Sequence, residues 1–188
     1  MALIRPLLRP VAVALLASLP LVGPALARDV TDPDLPRQLA PEGPVSVSWG
    51  DPAQFSELRH SRNRFEARRG DWVRGIARHL ARRAAERLGP GERLEVEITD
   101  IKLAGDFEPG RGHHADARVV RDIYPPRIAL RFTLRDARGQ VAASGERVLS
   151  DPGFLHRGGG TVGMGDALRH EKRLVDDWLR RELPRGGA

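Results

Sequence analysis

The sequence predicts an α+β fold: one four-stranded, mainly antiparallel sheet with two helices on one face, in the order strand-helix-strand-strand-strand-helix. Three observations predict it. Two stretches carry apolar residues at helical spacing, one around residues 73–88 and one around 168–179. Between them lie runs that alternate apolar and polar residues, the signature of strands with one face buried. A short turn, "DARGQ", joins two of these runs into a hairpin. Helices and strands segregated in this way pack as two layers around one core.

The chain opens with a segment that does not belong to the fold. Arg5 and Arg9 precede the apolar run Val11 to Val22, and "ALA" at 25–27 has the small-x-small pattern of a signal peptidase site. The apolar run is short for a bilayer span and is interrupted by Pro20. Residues 1–27 are therefore expected to be a Sec-type signal peptide cleaved after Ala27. The mature protein is expected in the periplasm, with secretion as the other possibility and no transmembrane segment remaining. No cysteine follows the cleavage site, so a lipoprotein anchor is excluded.

Residues 28–44 carry Pro33, Pro36, Pro41 and Pro44 and are expected to form an exposed linker. A single α+β domain is expected over 45–183. "VSVSW", Val45 to Trp49, alternates as a first strand, and "GDPAQFSE" turns the chain. Val73, Ile76, Ala77, Leu80, Ala81, Ala84 and Leu88 then mark a helix from Asp71, its expected N-cap, to the stop at Gly89-Pro90. Arg74, Arg78, Arg82, Arg83 and Arg87 fall on its other faces, most simply as a solvated surface. "RLEVEITDIKLAGD", 93–106, is a long strand whose apolar phase changes near Thr99-Asp100, which predicts a bulge there.

Gly105 to Ala117 is expected as a loop. Ile128, Leu130, Phe132 and Leu134 alternate with Arg131, Thr133 and Arg135 as a half-buried strand, and 141–150 return as its hairpin partner, with Gly145 expected to mark a bulge. A glycine-rich loop over 156–166 leads into a last helix from about Asp166 to Leu183, striped by Leu168, Leu174, Val175, Trp178 and Leu179. Residues 184–188 are expected as a fraying tail.

Composition narrows function mainly by exclusion. The chain has 31 Lys and Arg against 25 Asp and Glu, a formal net charge of +6, and no cysteine. Disulfides, zinc-thiolate sites and a cysteine nucleophile are excluded. A basic surface attracts anionic partners. For an exported chain these are an envelope protein or an anionic envelope component, and nucleic acid is not expected.

The most ordered-looking motif is "DIYPPR". Pro125 and Pro126 fix two successive φ angles and bias Tyr124 toward extended backbone. The Tyr124-Pro125 bond is left open between cis and trans. Asp122, Tyr124 and Arg127 would be held at a strand mouth beside the 105–117 loop and Asp106. That brings together carboxylates, a phenol and a guanidinium. The competing reading is an Asp-Arg pair that closes the loop.

Other motifs carry less. His113, His114 and Asp116 are weak metal candidates, because adjacent histidines do not readily face one ion and no H-x-x-x-H pair occurs. "GGGTVG" matches a dinucleotide fingerprint only in form, since no βαβ unit surrounds it. Ser144 lies in "ASGE", outside any nucleophile elbow. No cofactor is expected.

"TDIKLAGDFEPG", "RVVRDIYPPRIALRFTLRDARG", "SGERVLSDPGFL" and "RHEKRLVDDWL" resemble successive blocks of a family of exported bacterial proteins, domain of unknown function three-thousand-sixteen. The resemblance spans roughly 45–183, and "DIYPPRI" is its most specific part. It implies a single exported domain and no particular activity. Carried over with it are Asp106, Asp122, Tyr124, Pro125, Pro126, Arg127, Gly145, Glu146, Glu171, Lys172 and Trp178. Of these, Asp106, Asp122, Tyr124, Arg127, Glu146 and Glu171 are the functional or loop-locking candidates; the paired histidines are not part of the pattern. The expected role is a non-enzymatic interaction or envelope-accessory module. The alternative is a small hydrolase or anion-binding protein with its site near Asp106, Asp122, Tyr124 and Arg127.

Overall fold

A computed structural model describes residues 29–108, 116–156 and 165–183. Six strands and four α-helices follow in the order β1 (Val45–Trp49), α1 (Ser56–Arg59), α2 (Arg64–Arg68), α3 (Trp72–Ala85), β2 (Arg93–Lys102), β3 (Asp106–Phe107), β4 (Arg118–Val119), β5 (Arg127–Arg135), β6 (Val141–Ser150) and α4 (Arg169–Glu182). A 3-10 turn, Pro52–Gln54, precedes α1.

The α+β class holds, but the four-stranded sheet is mixed. Its order is β1-β2-β5-β6. β1 runs parallel to β2, whereas β2–β5 and β5–β6 are antiparallel. The parallel pair follows from the connection: the chain leaves β1, passes through the helices and returns on the same side, which only a crossover allows. Two further differences concern local structure. The expected turn at 50–57 runs into α1, and α2 follows in a stretch to which the pattern assigns no element. β3, at the start of the expected 105–117 loop, pairs with β4 just beyond its end in a small antiparallel ribbon.

Apolar alternation builds the core. Val45, Val47 and Trp49 on β1, Leu94, Val96 and Ile98 on β2, and Ile128, Leu130 and Phe132 on β5 bury one face of the sheet. α3 covers it with Val73, Ile76, Ala77 and Leu80, and α4 with Leu174, Val175, Trp178 and Leu179. The Trp178 ring meets Phe132 edge-on at 5.6 Å. The register of β2 against β5 shifts between Ile98 and Asp100, at the predicted phase change. The extra residue returns Ile101 to the buried face.

Gly145 does not mark a bulge. It pairs in register with Phe132, and the shift in the β5–β6 ladder falls at Leu134/Arg135 instead. What Gly145 provides is space: a Cβ there would lie 2.7 Å from Arg147. α3 and α4 are also shorter than the apolar periodicity suggests. Asp71 does occupy the N-cap of α3, where its backbone carbonyl accepts from Gly75 N.

The outer face of the sheet is a ladder of opposite charges. Arg131 on β5 lies between Glu97 on β2 (3.3 Å) and Glu146 on β6 (2.7 Å), and Arg135 faces Glu95 at 3.5 Å. The proline-rich stretch lies along β1: Leu39 N donates to Val47 O and Trp49 N to Arg37 O, both at 2.9 Å, while Val30 and Leu39 pack on the core. One edge of the sheet is thus covered. Among the described residues, no backbone pairs with the outer edge of β6.

Candidate functional site

The chemistry-bearing residues converge beneath the β3–β4 ribbon, around Glu57. The β2 bulge aims Asp100 at the start of α1. Its two carboxylate oxygens accept from Ser56 N (2.6 Å) and Ser56 Oγ (2.7 Å). This cap fixes a helix of only four residues. The cap in turn drives Glu57 inward, where its side chain is 0% exposed.

A buried carboxylate is stable only if it is paired and hydrogen-bonded. Glu57 Oε2 accepts from Lys102 Nζ (3.1 Å) and from Leu103 N (2.9 Å). Glu57 Oε1 accepts from the Arg118 guanidinium. Both cations also donate to the Gly105 carbonyl, Lys102 at 3.1 Å and Arg118 at 3.0 Å. Arg118 lies over the Phe107 ring, 4.7 Å from its centroid.

Gly105 is a conformational requirement here. Its φ is +80°, and a Cβ would meet the Val119 carbonyl oxygen at 2.6 Å. Its N–H donates to Tyr124 O at 3.0 Å, which docks the "DIYPPR" corner on the ribbon.

Glu171 approaches the same cluster from α4. It is almost wholly buried, and its Oε1 accepts from Ala104 N at 2.7 Å. Its Oε2 has no partner among the described residues. Burial raises its pKa above the ordinary 4.5, and the nearby Glu57 charge adds to this; Ala104 N and Arg118 pull the other way. Charge balance gives the same direction. Lys102 and Arg118 are matched by Glu57 and Asp106, so a proton on Glu171 keeps the cluster neutral. The neighbouring His170 is buried too; among the described residues neither ring nitrogen has a partner, and its ring is edge-on to Phe154 at 4.7 Å. Burial lowers its pKa, helped by Arg169 and Arg173 and opposed by Asp151.

The residues singled out by sequence are placed as follows. Asp106 belongs to the cluster: its Oδ1 accepts from Phe107 N at 2.8 Å and its Oδ2 lies 3.8 Å from Lys102 Nζ. Asp122 is exposed and accepts from Ile123 N at 2.9 Å. Tyr124 is half-buried and closes a turn onto Arg121 O at 3.0 Å. Its bond to Pro125 is trans. Arg127 points to the outer face and lies 3.8 Å from Asp100. Glu146 is on that same face, paired with Arg131 and apart from the buried cluster.

Asp116 is exposed and accepts from Asn63 Nδ2 at 3.1 Å, while His113 and His114 lie outside the described residues. Among the described residues, no group of three or more His, Asp or Glu is placed to hold a metal ion. No helix among them is long and apolar enough to cross a membrane.

Glu57 and Arg118, two of the central groups, are invisible in sequence, because their contacts span 45 to 61 residues. A usable signal did exist for Lys102. In an Arg-dominated chain only Lys102 and Lys172 are lysines. Each is a half-buried point charge on a carboxylate, Lys172 with Asp166 at 2.5 Å.

The profile of the family described as Protein of unknown function (DUF3016) matches residues 43–181. The chain belongs to this family. No curated protein and no solved structure matches the chain. Within the DUF3016 match lie the whole four-stranded sheet, α1 to α4 apart from the last residue, and every member of the Glu57 cluster.

Proposed function

We propose that this DUF3016 protein is an exported, periplasmic, non-enzymatic interaction module, and that its working surface is the open edge of the sheet at β6. The leader-like pattern of residues 1–27 supports the export. The observation that carries the interaction reading is the asymmetry of the two edges. β1 is sealed by Arg37–Leu39, whereas the ten residues of β6 pair on one side only among the described residues. β6 also exposes Val148 (60%) and Val141 (54%). An unpaired strand of this length takes up an extended segment through main-chain hydrogen bonds, with apolar pockets adding selectivity.

The alternative is a small hydrolase or anion site around Asp106, Asp122, Tyr124 and Arg127. It is less well supported, because Asp106, Asp122 and Arg127 already engage separate protein partners. Four surface grooves are lined by other residues.

The test is photocrosslinking in the periplasm from Val148 and, as a control, from Arg93 on β2. Val148 is expected to capture a discrete partner that Arg93 does not. Val141→Lys, with the probe kept at Val148, is expected to abolish the capture while leaving the melting temperature within about 2 °C of its parent. Equal capture from both positions would sink the β6 reading. Recovery of the full chain from the cytoplasm would sink the export.

A further inference from the structure

The segment 57–69, "ELRHSRNRFEARR", contains five arginines and a histidine. It folds as α1, a short connection and α2. Arg59, His60, Arg64 and Arg68 line a groove of about 560 Å³ together with Thr31 and Gln54. No carboxylate lines it.

Several arginines elsewhere are paired instead: on the outer sheet face Arg131 lies between two glutamates and Arg135 faces Glu95, and Arg74, Arg82 and Arg83 on α3 each face an acid. Around the groove, Arg59 and Arg64 have no carboxylate within ion-pair distance among the described residues. Arg68 reaches Asp29 only at 3.9 Å. The Asp29 carboxylate is instead engaged by Thr31 N and Thr31 Oγ1, at 2.8 and 2.7 Å. Three guanidinium groups thus share one recess with little protein countercharge.

Beside them stands an exposed aromatic ring. Phe65 is 65% exposed, the most exposed of the large apolar side chains. On α2, Arg64 and Arg68 are four residues apart and Phe65 and Arg68 three, so Arg68 neighbours both, while Ala67 is buried. Guanidinium groups match phosphate oxygens by paired hydrogen bonds. An aromatic ring next to a basic cluster is the arrangement that settles at the headgroup level of a bilayer.

We propose that the α1–α2 face is a docking site for an anionic phospholipid surface. The headgroup phosphate would sit in the Arg59–Arg64–Arg68 recess and Phe65 would enter the acyl boundary. The inference is independent of the β6 reading. Val141→Lys/Val148→Lys should not weaken it.

The experiment is vesicle co-sedimentation with the chain from Arg28 onward, which holds every described residue and leaves out the apolar run 11–22. Vesicles of phosphatidylglycerol and phosphatidylcholine are compared with phosphatidylcholine alone. Binding is expected only to the former. At about one factor of five per basic residue, Arg59→Gln/Arg64→Gln/Arg68→Gln should weaken it roughly a hundredfold. Phe65→Ser should remove the part that survives about 0.5 M salt, where the Debye length is only about 4 Å. The matched charge control, Arg74→Gln/Arg78→Gln/Arg82→Gln on α3, should cost less than about fivefold.

Absence of binding to the anionic vesicles overturns the proposal. So does an equal loss in both triple variants, which would indicate net charge alone. Inorganic phosphate or glycerophosphate bound as tightly as vesicles would make the groove a free-phosphate site. Tighter binding to an oligonucleotide would make it a nucleic-acid surface; either result also overturns it.

Discussion

Glu57 and Glu171 are both buried carboxyls at one junction, yet they are held in opposite ways. Glu57 has two cations and a backbone N–H, whereas Glu171 has one N–H and an unpartnered oxygen. Glu57→Ala would strand Lys102 and Arg118 over a buried gap. It is expected to destabilise the fold by about 3–5 kcal/mol in denaturant unfolding. Glu171 should respond differently. Its folded pKa is raised, so between the ordinary 4.5 and the folded value the native state holds a proton that the unfolded state has lost. Stability must fall as pH rises through that window. Glu171→Gln keeps the acceptor for Ala104 N and removes the titration. Its melting temperature relative to wild type should therefore climb with pH above 4.5. His170 works from the other side. Its folded pKa is lowered, so its contribution is complete above the ordinary 6.5 and is lost as pH falls from there through the folded value. In His170→Gln that acid-side loss should disappear from a melting series between pH 7 and 5.

Arg147 ties β6 to α4. Arg147 donates to both oxygens of Glu182, from Nε at 3.0 Å and from its terminal nitrogen at 2.8 Å, and its guanidinium lies 5.0 Å from the Phe132 ring centroid. The space it occupies is the Cβ position that Gly145 leaves vacant. Gly145→Ala should therefore act by displacing Arg147 rather than by backbone strain. The expected signature is non-additivity. Gly145→Ala and Arg147→Ala should each cost about 1 kcal/mol, and the double variant should cost less than their sum by about 0.5 kcal/mol or more. Additive losses in a denaturant double-mutant cycle would show that the two positions are not coupled. The same contact explains why the bulge expected at Gly145 is absent: the glycine serves side-chain packing across the layer, not a change of register.

The two edges of the sheet differ: residues 37–39 pair along β1, and among the described residues nothing pairs with the outer edge of β6. Removing residues 29–40 would uncover β1 and release Val30 and Leu39 from the core. Partial burial of two such side chains is worth about 2–4 kcal/mol together, which corresponds to a drop in melting temperature of several degrees. The truncated chain should also associate in a concentration-dependent way through the new edge, as analytical ultracentrifugation would detect. A truncated chain that stayed monomeric with an unchanged melting temperature would mean that the strip contributes neither cover nor packing.

Periodicity is a local property, and what depends on it was legible: the apolar faces of α3 and α4, the buried phase of β1, β2 and β5, and the bulge near Asp100, where the alternation itself changes phase. The strand-helix-strand order from β1 was present as well, but that order does not fix which strands pair, and the parallel β1–β2 pairing is a property of the assembled sheet. The "DIYPPR" corner was equally plain, because proline fixes φ without reference to anything distant. The buried junction was not legible. Glu57 lies in four helical residues with no periodicity, and its partners Lys102 and Arg118 come from elsewhere in the chain. Nothing local separates it from a solvated glutamate. The basic α1–α2 face and the outer edge of β6, which no described residue pairs with, depend on which segments lie next to them, and only the assembled tertiary structure decides that. Pattern specifies which residues turn inward; charge compensation, exposure and strand pairing are set by contacts between segments far apart in sequence.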